Sequence, residues 1–323
     1  MKILHCVETY NPLVNGMQTV VQQISERLVE MGHDVTVVTS KNTKRAIYEL
    51  NGVKIIEFNI SGGFVSGLTG EVNSYEQFLL NSKYDIVATF AAQQWTTDIL
   101  LPLSHLIPGK KVFVPTGFSG LYEPSFACYF EQMKDWMRNF DMNIFLSYSY
   151  RDFNFAKQNN IKKIKVIPNG ANEKEFEQPS QIDIKKKYNI PDTHKLILHV
   201  GGHTSHKGHS EAIEIFKRAN ISSATFLLIA HPVPSNGCEH NCNKLAIEYN
   251  QSEDAKLKDK KIIIDFPSRK ETVAAYKESD LFLFPSNIEC SPLVIFESMA
   301  AGVPFLATDV GNVSEIIEWS NGG

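Results

Sequence analysis

No stretch of this 323-residue chain stays apolar for the roughly 20 residues that a membrane-spanning helix needs. Its opening, Met1-Lys-Ile-Leu-His-Cys-Val-Glu8, is too short and too polar for a signal peptide and reads as a first strand. Basic residues are not gathered. The densest run, Lys185-Lys-Lys187, reads as a solvated helix face, and the formal net charge is -4. A surface that tracks nucleic-acid phosphates needs a denser basic stretch, so nucleic acid is not an expected partner. Cysteines are few. Five of them, without regular spacing, argue against a disulfide framework and for reduced thiols in the cytosol. No Asp-x-Asp pair stands beside a strand end, where it would hold a metal–diphosphate complex, and no bound metal or cofactor is expected.

What is present is a globular composition, 43% hydrophobic and 21% charged, in a length that suits two domains. Both halves alternate strands with helices, which predicts α/β architecture with parallel sheets covered on both faces. In the first half, strands are expected at Ile3–Val7, Asp34–Thr39, Val53–Ile60, Asp85–Phe90, Lys111–Pro115, Asn143–Ser147 and Lys163–Ile167. Val20, Val21, Ile24, Leu28 and Met31 mark one face of the first helix. The second half starts again at Lys195-Leu-Ile-Leu-His-Val-Gly201, with strands expected at Thr225–Ala230, Lys261–Asp265, Leu281–Phe284 and Pro304–Thr308. The division predicted is a first domain over 1–172, a polar linker over 173–194 and a second domain over 195–323.

The segment Asn287-Ile-Glu-Cys-Ser-Pro-Leu-Val-Ile-Phe-Glu-Ser-Met-Ala-Ala-Gly-Val-Pro304 carries the sharpest signal. It follows the apolar run Leu281–Phe284, which stops at Pro285 as a buried strand does. Ser291 reads as a helix N-cap and Pro292 as the first helical residue; Gly302 stands where a left-handed C-terminal cap is wanted. Glu289 then lies in a loop at a strand's C-terminal end, and Glu297 lies on the helix eight positions later. The N–H groups at that helix start suit phosphate, and the two carboxylates suit neutral hydroxyls.

This pattern resembles the Glu-x7-Glu motif of the family 4 retaining glycosyltransferases, which have the GT-B fold: two doubly wound Rossmann-like domains facing a cleft. The resemblance implies that Glu289 contacts the transferred sugar and Glu297 the ribose of a nucleotide-sugar donor. It implies donor contacts from backbone N–H groups at Cys290, Ser291 and Leu293, while Pro292 has none to offer. Val200-Gly-Gly-His-Thr-Ser-His-Lys-Gly208 is similar to the family's phosphate loop, with Lys207 in the place of a diphosphate-binding Lys. Gly202 stands where the family places an Arg, so His203 or His206 is left as a partial substitute. Of the family's Gly-Gly pair after the first strand only Gly16 remains, and a donor-approaching loop and a plain turn are both open readings for it.

A second departure lies in the first half. Many members of the family it resembles carry a histidine facing the reaction centre, whereas Phe113-Val-Pro-Thr-Gly-Phe-Ser-Gly120 and Ala88-Thr-Phe-Ala-Ala-Gln-Gln94 have none. Gln93, Gln94, Thr116 and Ser119 can bind sugar hydroxyls, with Gln93, Thr116 and Ser119 as the acceptor-side candidates, but none is a general base. The aromatic stretch from Gly120 to Phe155 reads as core packing, with an acceptor platform or a weak peripheral membrane contact as alternatives. Cys238-Glu-His-Asn-Cys242, with His231 upstream, is the one metal-like cluster. Cys238 and Cys242 share a helix face that His240 does not, and the segment reads as a polar excursion leading into a helix at Cys242. The resemblance also implies that relatives continue beyond Gly323, so the chain is expected to be truncated. The function implied is metal-independent transfer of a glycosyl group to a hydroxyl acceptor, on a glycan, a lipid carrier or a small molecule. The setting implied is the cytoplasm or the inner face of its membrane. The rival reading is a catalytically impaired nucleotide-sugar-binding or scaffold protein.

Overall fold

The computed structural model describes residues 1–13, 15–232 and 237–320. Val14 and the closing Gly322-Gly323 lie outside those residues. The chain forms two compact units, Met1–Pro168 and Asn169–Gly323. Among the described residues no helix is long and apolar enough to cross a membrane.

The first unit is built on an eight-stranded sheet. Its spatial order is Ile164–Val166, Met142–Phe145, Lys110–Val114, Ile86–Phe90, Lys2–Cys6, Asp34–Ser40, Val53–Phe58 and Glu49–Leu50. All neighbours pair in parallel except the short edge strand Glu49–Leu50. Helices follow the strands at Gly16–Glu30, Val72–Leu80, Trp95–Leu103, Ala127–Asn139 and Arg151–Gln158. With both faces covered, the strands are near-continuous apolar runs; Val35, Val37 and Val38 are fully buried. The strand expected through Ile60 instead stops at Phe58. Ile60–Gly63 leaves the sheet and pairs antiparallel with Gly67–Gly70 in a separate hairpin.

The aromatic stretch is core. Tyr129, Phe130, Met133, Trp136 and Met137 bury the inward side of helix Ala127–Asn139, and Phe140, its C-cap residue, is buried after them. Their rings meet edge to face, as Tyr129 does with Trp136 (5.6 Å) and Phe118 with Phe130 (5.0 Å). Tyr122 and Tyr148 are the exceptions, at 78% and 59% exposed.

In the second unit a five-stranded parallel sheet runs Lys260–Asp265, Ala224–His231, Lys195–Gly202, Leu281–Phe284, Phe305–Ala307. In chain order that is 3-2-1-4-5, so the winding direction reverses between Lys195–Gly202 and Leu281–Phe284. A crevice at the carboxyl ends of these two strands is where doubly wound sheets take ligands. The segment 173–194, expected as a linker, packs here instead. Phe176, Ile184 and Ile190 enter the core, and the Glu278 carboxylate accepts from the Ile184 and Lys185 N–H groups at 3.0–3.1 Å. Its lysines are engaged as well: Lys187 Nζ sits 2.7 Å from Glu271 Oε1, and Lys185 Nζ donates to the Asp192 and His194 carbonyls.

Helix Leu293–Ala300 begins one residue later than a Ser291 cap requires. Pro292 is its N-cap residue, and no side chain caps it. Ser291 Oγ is drawn away from the helix, accepting from Asn169 N (3.2 Å) and Asn312 Nδ2 (3.0 Å). Gly302 follows the helix at φ +72°, as the left-handed cap requires.

Candidate active site

Two loops meet at the reversal point of the second sheet. One leaves the strand Lys195–Gly202, makes a short 3-10 turn over Ser205–Lys207 and reaches Gly208 at φ +69°. A Cβ on Gly208 would stand 1.9 Å from the Pro285 carbonyl oxygen, so only glycine lets this loop press against the end of strand Leu281–Phe284. The other loop, Pro285 to Pro292, is locked to the first by backbone: Asn287 N donates to His206 O at 2.8 Å. Gly311, at φ +60°, supports it from beneath, where a Cβ would fall 2.6 Å from Cys290 O.

This packing brings Lys207 and Glu289 together, 82 positions apart in sequence. Lys207 Nζ is 2.7 Å from Glu289 Oε1. The carboxylate is nearly buried, with 9% of its side chain exposed, and the lysine is about one-third exposed. Ser286 Oγ lies 2.9 Å from both Glu289 Oε1 and the His206 carbonyl, so it shares that carboxylate oxygen with Lys207 and helps to fix it. A partly exposed ammonium beside a positioned carboxylate can hand its charge to an anionic ligand. It then leaves the carboxylate free to accept from hydroxyls.

Glu297 sits inside the helix Leu293–Ala300 and is buried. Arg269 reaches it: Nη1 to Glu297 Oε1 is 2.7 Å, and Nη2 to Glu175 Oε2 is 2.6 Å. Burial raises the Glu297 pKa, and the Arg269 guanidinium opposes that rise. Burial by itself lowers the Arg269 pKa, but the two carboxylates outweigh it and the net shift is upward. Sequence reasoning did not find Arg269. Its only signal was a lone arginine at the start of helix Arg269–Glu278, which a Ser268–Glu271 capping box closes. Ser286 was missed too, although it stands between the strand and Glu289.

The histidines divide. His206 gives its carbonyl to the loop contact, and its side chain is exposed. His203 turns inward and is buried, its Nδ1 3.6 Å from Cys238 Sγ; burial lowers its pKa. Gly202 ends the strand in register with His231, and its carbonyl meets His209 Nε2 at 2.8 Å. His209 in turn contacts His199, Nδ1 to Nε2, at 2.7 Å. Burial is the main cause holding the His199 and His209 pKa values down, to about 3 and about 4. Cys290 is half-buried and Ser291 buried just before the first turn that begins at Leu293, where the Ile295 N–H donates to the Pro292 carbonyl at 3.2 Å.

The remaining candidates belong to the first unit. Gly16 opens helix Gly16–Glu30, capped by Asn15, whose side chain accepts from Gln18 N at 2.8 Å. Gln93 and Thr116 follow the strands Ile86–Phe90 and Lys110–Val114, and both have positive φ, 62° and 58°. Ala91 and Phe118 beside them share that conformation, at 63° and 49°. Four non-glycine residues held there on two adjacent loops mark a site whose shape is over-determined by its surroundings. Gln93 Oε1 accepts from Ser119 Oγ (3.1 Å) and Gly120 N (3.0 Å), which joins two of the acceptor-side candidates directly. Asp152, also absent from the sequence candidates, accepts from Gly117 N at 2.9 Å and holds the Thr116–Ser119 loop.

Residues 14–175 match the family model described as Glycosyltransferase Family 4, and residues 180–322 match that of Glycosyl transferases group 1. An uncharacterized glycosyltransferase of Methanocaldococcus jannaschii is 26% identical over 98% of this chain and 83% of its own length. Among solved structures, the sucrose-phosphate synthase of Thermosynechococcus elongatus superposes with a TM-score of 0.77 at 18% identity. The match covers 98% of this chain and 83% of that one. Anabaena HepE, in complex with UDP-glucose, superposes at 0.71 and 15% identity, over 98% of this chain and 82% of that one.

Proposed function

The chain belongs to glycosyltransferase family 4 and has the GT-B fold, and from that premise we propose that it is a retaining enzyme moving a sugar from a nucleotide-sugar donor to a hydroxyl acceptor. The observation that carries this reading is the Lys207–Glu289 pair at the carboxyl ends of the two central strands. In the free protein each side chain holds the other in place. On donor binding, Lys207 turns to the diphosphate and Glu289 is released to the hydroxyls of the transferred sugar. The first-turn amides of helix Leu293–Ala300 add fixed donors for phosphate oxygens. Glu297 is the ribose ligand, already oriented by Arg269. Gln93, Thr116 and Ser119 are the acceptor-side groups.

Transfer with retention fits a site that lacks a strong base. The bond from the anomeric carbon to the β-phosphate oxygen breaks as the acceptor oxygen bonds to the same face. The departing phosphate oxygen takes the acceptor's proton. Stabilising charge on the leaving group is then the main catalytic task, and Lys207 performs it. A lysine and helix amides meet the diphosphate without a divalent ion there, so transfer proceeds with no added magnesium or manganese.

The test is a thermal-shift panel of nucleotide sugars, with uridine donors first because the structural neighbour HepE binds UDP-glucose. It is followed by assay of transfer or donor hydrolysis and assignment of the product anomer by NMR. One donor class should raise the midpoint, and the product should keep the donor's configuration. Lys207→Ala should lower turnover about 10²–10³-fold. An inverted product, or near-wild-type turnover in Lys207→Ala, would remove this reading.

A further inference from the structure

Sequence grouped Cys238 and Cys242 with His231 and His240. The fold replaces both histidines with one from elsewhere. His231 packs its ring against Phe266 at 4.5 Å, and His240 is exposed on its helix. His203, 35 positions before Cys238, comes in instead. Its ring nitrogen and the two sulfurs all lie within 4.8 Å of one another.

We propose that His203, Cys238 and Cys242 bind a thiophilic divalent metal ion of the zinc class. The spacings from Cys238 to the other two residues are those of ligands around one ion. A tetrahedral centre with bonds of about 2.3 Å to sulfur and about 2.0 Å to nitrogen sets S and N about 3.5 Å apart and two sulfurs about 3.8 Å apart. Here His203 Nδ1 to Cys238 Sγ is 3.6 Å and Cys238 Sγ to Cys242 Sγ is 4.0 Å. His203 and Cys242 are buried and Cys238 is half-buried.

Local structure holds each ligand independently of any ion. His203 follows the strand Lys195–Gly202, and its N–H donates to the His231 carbonyl at 2.8 Å. Helix Cys238–Gln251 starts four residues earlier than the sequence suggests, because Gly237 takes the left-handed conformation before it (φ 67°). That earlier start puts Cys238 on the first turn and Cys242 one turn on, on the same face. Asn241 Nδ2 ties the helix to Ser210 Oγ at 3.0 Å, and the His209 ring meets the His203 ring edge-on at 5.2 Å.

The competing use of two cysteines this close is a disulfide. Their sulfurs stand about twice a disulfide bond length apart. A metal ion suits the sulfur–sulfur separation, and it brings in His203, which a disulfide does not. If the proposed function holds, the ion also ties the start of the Lys207 loop to helix Cys238–Gln251. The binding test does not depend on that.

The experiment is titration of the metal-stripped, fully reduced chain with cobalt(II) alone. Wild type should develop a near-ultraviolet thiolate-to-cobalt charge-transfer band and tetrahedral visible bands, saturating at one equivalent and bleached by zinc(II). Cys238→Ser and Cys242→Ser should each remove the charge-transfer intensity of one thiolate. His203→Ala should weaken cobalt binding by at least about tenfold. Cys128→Ser, at an exposed cysteine elsewhere, should change nothing. Absence of the band in reduced wild type overturns the proposal, even if the variants do not fold. So does a band that survives loss of both cysteines, or unchanged affinity in His203→Ala. Recovery of a Cys238–Cys242 disulfide from protein that binds no cobalt when reduced would assign the pair to redox chemistry instead.

Discussion

Arg269 changes what Glu297 can be. A carboxylate buried alone on helix Leu293–Ala300 would protonate, but beside a guanidinium at 2.7 Å it is kept as an acceptor. Arg269 also bridges to Glu175, on the segment that sequence assigned to a linker. Arg269→Met should therefore leave Glu297 buried without its counter-charge and lower the stability of the second unit by about 1–3 kcal/mol. Urea midpoints for wild type and variant measure the loss. Equal midpoints would mean that solvent alone satisfies Glu297. At this scale the sequence disclosed the residues but not their partners. Glu289, Glu297 and Lys207 stand in recognisable patterns. Arg269, Ser286 and His203 owe their places to contacts across tens of residues, which no local pattern encodes.

At the scale of elements, the apolar strands and amphipathic helices were legible because burial writes a period into the sequence. The strands Leu281–Phe284 and Lys195–Gly202 fall where they were expected, within a residue. Helix starts were harder. Ser291 carries the chemistry of a cap but spends its hydroxyl on Asn169 and Asn312, and Gly237 advances a helix whose expected start was Cys242. The hairpin Ile60–Gly63/Gly67–Gly70 was also missed, since its glycine-rich strands carry no apolar alternation.

Asp152, in the first turn of helix Arg151–Gln158, gives the first unit a pH signature. Burial raises its pKa from 3.8 to about 6, against the Gly117 and Phe153 N–H groups and the neighbouring Arg151, all of which favour the charge. The folded state thus holds this proton more tightly than the unfolded chain. Its contribution to stability is present below the unfolded pKa and is lost as pH rises through about 6. Each pKa unit is worth about 1.4 kcal/mol, so the loss is on the order of 3 kcal/mol. Denaturant midpoints across that window should fall more steeply with pH in wild type than in Asp152→Asn, which cannot titrate. Parallel profiles would show that Asp152 is not protonated in the native fold.

The whole molecule has a core in each unit, and its tryptophans are divided unequally between them. Trp95 and Trp136 are buried in the first unit, whereas the second unit's Trp319 is 46% exposed on helix Val313–Ser320. Tryptophan emission therefore reports chiefly on unfolding of the first unit. Far-ultraviolet circular dichroism and calorimetry report on both. The proposed donor ligands Lys207, Glu289 and Glu297 all belong to the second unit. A ligand that binds only the folded form of that unit stabilises it by about 2.7 kcal/mol at a concentration a hundred times Kd. A nucleoside diphosphate should then raise one of two calorimetric transitions by several degrees and leave the tryptophan-monitored midpoint nearly in place. Lys207→Ala should abolish the shift without moving either transition of the free protein by a comparable amount. If the tryptophan midpoint rises together with the whole calorimetric envelope, the two units unfold as one cooperative body, and the separate cores do not act as separate stability units.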